Sequence, residues 1–186
     1  MNDNKKTVII INGNGGCGKD TFVKSIQELF PGIINVSVVD PIYEMAKIAG
    51  WDGVTKESKD RIFLHKLKML SEEYNDCPNR YILSRFDEFI NNEEESIMFV
   101  HAREVSNIKH FVEEMNKSSK AIVKTLLISR PSYDVVWGNE ADDGVDNYDY
   151  NYIFINDERE TEEEIKQAAI KFFTNCILGY KFKWIW

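Results

Sequence analysis

Apolar residues recur along this chain in two rhythms, and their alternation predicts its layers. The first rhythm is a short, nearly unbroken apolar run. Segments 7–12, 33–39, 97–101, 121–129 and 152–155 read this way. Such runs suit parallel strands covered on both faces. The second rhythm is helical spacing. It predicts helices over about 19–30, 41–49, 106–116 and 161–177, and a long helical region over 55–91 broken near Asp76-Cys77-Pro78. Pro31-Gly32 and Leu178-Gly179 are stop signals, and Thr161 with Glu164 has the spacing of a capping box. Asp40 stands where a cap for the helix opened by Pro41 is expected. In the long helical region, Ile62, Phe63, Leu67 and Leu70, then Tyr81, Ile82, Phe86, Phe89 and Ile90, are expected to pack in the core. Alternating strands and helices predict an α/β domain with a five-stranded parallel sheet, helices on both faces and right-handed crossovers.

Bulk properties narrow the class. A chain of 186 residues is read as one domain, 1–186, with about 41–91 a helical region and about 130–150 an irregular loop. Net charge is −8, which argues against a general nucleic-acid or anionic-membrane binder. A polyanionic small substrate needs only a few local cations and stays open. Three widely spaced cysteines, Cys17, Cys77 and Cys176, give neither a disulfide framework nor a zinc pattern. With no signal peptide in view, a reducing cytoplasm is expected.

The most informative stretch is Gly13-Asn14-Gly15-Gly16-Cys17-Gly18-Lys19-Asp20-Thr21, between the first strand and the first helix. Strand, glycine loop, lysine, helix is the layout of a phosphate-binding P-loop. Glycines let successive backbone N–H groups turn inward onto phosphate oxygens. The helix end adds unpaired N–H groups and a favourable dipole. Lys19 supplies a point charge for β- and γ-phosphates. One position departs from the common pattern: Asp20 follows the lysine, and the hydroxyl arrives as Thr21. Cys17 has two readings, a thiol made reactive by the helix end and Lys19, or a small filler.

Ligands of doubly wound sheets bind outside the carboxyl ends of the strands. Asp40, His101 with Arg103, Arg130 and Asn156 all fall at those ends. They are expected to converge on one rim with the loop.

On Gly18-Lys19-Asp20-Thr21, Asp40-Pro41, Lys59-Asp60-Arg61, Arg103-Glu104 and Asn156-Asp157, the chain resembles the P-loop nucleoside monophosphate kinase superfamily. It looks most like the deoxynucleoside monophosphate kinase and phosphomevalonate kinase-like branch. The resemblance implies a three-layer αβα fold and transfer of the ATP γ-phosphoryl to a phosphorylated small molecule. It implies Gly13 to Thr21 as the nucleotide-phosphate cradle, and Mg²⁺ held by Asp20 and Thr21, directly or through water. Arg103 would clamp the acceptor's phosphate, with Arg61 and Arg130 as further clamps. Asp40 would orient the acceptor. Helices 41–91 would form the acceptor region and 130–150 a lid.

Two departures matter. The third strand ends in His101, where many P-loop enzymes place a metal-linked aspartate. The lid-like stretch from Pro131 to Asp149 carries Asp134, Glu140, Asp142, Asp143, Asp146 and Asp149 but no Lys or Arg. Cations would then come from Arg61, Arg80 or Arg85, or the chain is a nucleotide-binding regulatory module with little catalysis. A non-nucleotide phosphate acceptor is a third reading, since no motif specifies a base. The tail, Tyr180 to Trp186, alternates Lys with large apolar residues. It is expected to cover its own domain, with a homodimer contact as the alternative.

Overall fold

The computed structural model describes residues 5–131, 144–156 and 161–179. Asp134, Glu140, Asp142 and Asp143 of the lid-like stretch, Asp157 and the tail 180–186 lie outside the described residues. Five strands, β1 (Lys6–Asn12), β2 (Ile33–Ser37), β3 (Ile97–His101), β4 (Ala121–Ser129) and β5 (Tyr152–Ile155), form one sheet in the order β2-β3-β1-β4-β5. Every pairing is parallel. The helices are α1 (Lys19–Gln27), α2 (Asp40–Ile48), α3 (Ser58–Asn75), α4 (Cys77–Asn91), α5 (Val105–Met115) and α6 (Glu162–Phe172). A π-helical turn, Phe173–Ile177, continues α6.

The pleat of β1 divides the core in two. Val8 and Ile10 face one side with α4 and α5, through Ile82, Phe86, Phe89, Ile108 and Phe111. Ile9 and Ile11 face the other, with Phe22, Val23 and Ile26 of α1 and Ala169 of α6. Alternation on a strand apolar at every position is what a sheet covered on both faces requires. On the second side Phe99 lies edge-on to Phe22 at 6.5 Å and 6.0 Å from Phe173. Hydrogen bonds between parallel neighbours fix the register: Ile11 stands beside His101 on one flank and Leu126 on the other. The carboxyl ends of β1 and β3 are therefore level, and β4 continues past Leu127, the partner of Asn12, to Ser129.

Local chemistry explains most boundaries. Asp76 adopts a left-handed conformation, φ 54°, between α3 and α4, and Pro78 sits in the first turn of α4. Thr161 caps α6, its hydroxyl accepting from Glu164 N–H and the Glu164 carboxylate accepting from Thr161 N–H. Two expectations are corrected. Asp40 does not precede α2 as its cap: it is the first helical residue, Val39 holds the cap position, and the Asp40 carboxylate accepts from Ser37 N–H at 2.7 Å. The expected core face of α3 is also absent. Ile62 and Leu70 are 56% and 65% exposed, Phe63 is exposed and Leu67 only half-buried. The reason is placement. α3 packs on α2 and α4 rather than on the sheet, and no residue of it is fully buried. The α4 expectation holds, with Ile82, Phe86 and Phe89 buried and Tyr81 and Ile90 packed beside them.

Phe99→Ala removes a fully buried ring shared by β3, α1 and the π-helical turn. Its expected cost is about 3–5 kcal/mol, read as the loss of unfolding free energy in a urea titration. A loss below about 1 kcal/mol would contradict the two-sided core.

Candidate active site

The glycine loop is shaped by what surrounds it. Gly13, Gly16 and Gly18 have φ of 147°, 77° and 100°, a region L side chains rarely enter. A Cβ on Gly13 would lie 2.3 Å from the Ile128 carbonyl oxygen, and one on Gly18 would lie 2.6 Å from Asn156 Nδ2. The loop is thus pressed between the end of β4 and the end of β5. Asn156 Nδ2 donates to the Cys17 carbonyl at 2.9 Å. Asn156 was visible in the sequence only as a strand-end residue; its role as a brace behind the loop appears in the structure.

A second brace is Asn12, the last residue of β1, which is fully buried. Its Oδ1 accepts from Gly13 N–H at 2.7 Å. Its Nδ2 donates to the Arg103 carbonyl at 3.0 Å and to the Tyr150 hydroxyl at 2.7 Å. Tyr150 in turn donates to the Val145 carbonyl at 3.0 Å. One amide therefore joins the loop entry, the turn carrying Arg103 and the chain leading into β5. Sequence reasoning missed this role. A polar residue ending an apolar strand was its only trace.

Lys19 Nζ donates to the carbonyls of Gly13 and Asn14, the latter at 2.9 Å, so its charge lies over the loop. Asn14 and Gly16 are exposed, Gly15 is half-buried and Phe22 N–H closes the first helical bond onto Gly18. Cys17 is 2% exposed, and burial pushes its thiol up despite the pull of Lys19. It is a filler, and the reading of a reactive thiol is corrected: desolvation outweighs the lysine and the helix end.

His101 is largely buried at the end of β3, its side chain 12% exposed, with Nδ1 3.9 Å from Asp20 Oδ1. Burial is the main cause of a pKa lowered to about 4; Asp20 opposes it, and Lys19 and Arg103 add to it. The imidazole is neutral at pH 7. These electrostatic contacts place Lys19, Asp20, His101 and Arg103 in one neighbourhood. Glu104, beside Arg103, pairs with Lys68 of α3. Burial works against its charge, but the Lys68 ion pair more than offsets this and holds its carboxyl low.

The remaining predicted residues divide. Arg130 directly follows β4 and is half-buried at the same rim. Asp40 is half-buried, and its carboxyl is raised by burial, against the Ser37 N–H bond. Arg61 is exposed on α3, where its Nε donates to the Lys56 carbonyl at 3.0 Å, so it is tied to the segment that leads into that helix.

Asp20 and Thr21 open a groove of about 500 Å³ between α1 and α6. The Asp20 side chain is 98% exposed. Among the described residues no three of His, Cys, Asp and Glu gather to enclose a metal. One carboxylate and one hydroxyl suit Mg²⁺ shared with phosphate oxygens and water, and do not suit an all-protein cage.

No family model and no curated protein matches the chain. Solved structures do. A dephospho-CoA kinase from Campylobacter jejuni is 16% identical with a TM-score of 0.52, covering 92% of this chain and 98% of that one. A shikimate kinase from Bacteroides thetaiotaomicron is 15% identical with a TM-score of 0.49, covering 94% and 99%. A sugar kinase from Janibacter sp. is 13% identical with a TM-score of 0.44, covering 96% and 99%. At these identities the likeness is one of fold, and the first of them carries it. The sheet and helices share the fold of that dephospho-CoA kinase. Among the described residues no helix is long and apolar enough to cross a membrane.

The buried neutral His101 makes stability depend on pH. Its folded pKa of about 4 lies below the ordinary 6.5, so between them the unfolded chain binds more protons. The His101 contribution is full above 6.5 and is lost as pH falls through that window, by about 3 kcal/mol in total. Chemical denaturation at pH 7 and pH 4.5 should show a smaller acid loss in His101→Gln than in the wild type. Equal losses would contradict the assignment.

Proposed function

We propose that the chain is an ATP-dependent small-molecule kinase whose acceptor is itself phosphorylated, most simply a nucleoside or deoxynucleoside monophosphate. The observation that carries this reading is the shared amide of Asn12, which ties the entry of the glycine loop and the turn of Arg103 to one point. A loop for one phosphate group and the backbone of the turn that carries a guanidinium for another are thereby held in fixed relation.

The loop amides from Gly13 to Gly18 and Lys19 bind the β- and γ-phosphates of ATP. Arg103 grips the acceptor's phosphate with its planar fork. Asp40 orients the acceptor beyond the end of β2, and Arg61 adds charge from α3. Arg130 stands at the rim to meet the transferring group. Asp20 and Thr21 would hold Mg²⁺, which neutralises phosphate charge when bound. In the transfer, the bond between the γ-phosphorus and the β–γ bridging oxygen breaks as a bond to an acceptor oxygen forms. Such chemistry asks for in-line placement and cations more than for covalent help. The neutral His101 suits this, because a carboxylate there would add negative charge near Lys19 and Arg103.

A second reading has one specific support. Residues 131–149 contain no Lys or Arg. A P-loop protein without cations there could bind nucleotide and transfer little, as a regulatory module.

The deciding experiment incubates the protein with ATP, Mg²⁺ and a panel of nucleoside, deoxynucleoside and non-nucleotide phosphates, and measures ADP. ADP formed with one acceptor class supports the kinase and identifies its substrate. ATP binding without turnover on any acceptor favours the regulatory module. Arg103→Ala should raise the acceptor KM by roughly 10–100-fold, the loss of one charged hydrogen-bonding partner. The ATP KM should change little, and Arg103→Lys should recover only part of the loss. An unchanged acceptor KM would remove Arg103 from the site.

A further inference from the structure

Large apolar side chains left exposed are concentrated on one part of this molecule. Of the eleven in the described residues, five are on α3: Ile62, Phe63, Met69, Leu70 and Tyr74. At 3.6 residues per turn these five fall within about 140° of arc, a single stripe. The opposite side of α3, with Leu64, Lys68 and Ser71, is the one partly covered. An apolar stripe of this extent on an otherwise charged surface marks an interface.

Two charges lie inside the stripe. Lys66 and Glu73 are both exposed and share its arc. Lys66 is flanked at three and four residues by Ile62, Phe63, Met69 and Leu70, and Glu73 by Met69, Leu70, Asp76 and Cys77. Neither has an opposite charge at helical spacing on its own chain. A second copy of α3 supplies one. Two identical helices packed antiparallel about a two-fold axis place residue i opposite residue j and j opposite i. With the axis between Met69 and Leu70, Lys66 faces Glu73 of the other copy, and the reverse pair forms by symmetry. Met69 faces Leu70, and the outer apolar residues close over both ion pairs.

We propose that α3 is a self-association surface, on which a second copy of this chain packs antiparallel in that register. The same face cannot then be part of the acceptor site, which would lie on the other side of α3 toward Lys68 and Glu104. This proposal stands independently of the kinase reading.

Sedimentation velocity of the full chain over a micromolar to sub-millimolar series tests it. The wild type should show a monomer–dimer equilibrium. Lys66→Glu and Glu73→Lys should each weaken it by about tenfold or more, because each places two like-charge contacts at the seam. The double variant Lys66→Glu with Glu73→Lys should return to within about threefold of wild type, since both pairs are restored with their signs exchanged. Leu70→Glu should abolish association in any register. All three positions are at the surface, so circular dichroism and melting at low concentration should match wild type. A chain monomeric throughout, or a dimer indifferent to Leu70→Glu, would overturn the surface. Disruption by both single variants without recovery in the double would overturn the register.

Discussion

The amide of Asn12 is the constraint on which the site depends. It is buried, and a buried amide must find partners for its oxygen and both its hydrogens. Here they are Gly13 N–H, the Arg103 carbonyl and the Tyr150 hydroxyl. These belong to segments distant in sequence, and the parallel register of β1 with β3 and β4 is what brings them level. An apolar residue at this position would fill the space and leave backbone groups unmatched. A loop whose glycines could otherwise take many shapes is held at its start by Asn12 and at its end by Asn156.

Around that frame, charge is arranged by exclusion as much as by attraction. The chain carries a net −8, yet Lys19 and Arg103 share the neighbourhood of the loop. His101 feels both charges, and burial keeps it neutral. Glu104, the acid next to Arg103, is engaged by Lys68. Positive charge is thus presented at the rim with the Glu104 carboxylate beside Arg103 already engaged by Lys68. Lys68 also links α3 to this turn, so the helix with the exposed stripe touches the site through its covered side.

Much of this was legible in the sequence because it is local. The apolar runs gave β4 and β5 to the residue, and the glycine loop with its flanking strand and helix announced its own geometry. The capping box at Thr161 needs only four residues to declare itself. What failed was information held elsewhere in the chain. Helical periodicity in α3 shows apolar positions on more than one side, and only the packing of α2 and α4 decides which side is covered. Asp40 before a helix has the look of a cap, but the close approach of Ser37 N–H turned its carboxylate backward. Cys17 sits where a dipole and a lysine favour a thiolate, and burial overrules both. Asn12 and Tyr150, 138 residues apart, have no local signature at all.

We propose above all that the glycine loop and Lys19 bind nucleotide phosphates. Calorimetric titration of ATP with Mg²⁺ into the wild type and into Lys19→Ala tests it without knowledge of the acceptor. The expected result is saturable binding by the wild type and an affinity lower by roughly tenfold or more in the variant, the loss of one charged contact to phosphate. Equal affinity in the two proteins, or no binding by either, would contradict it.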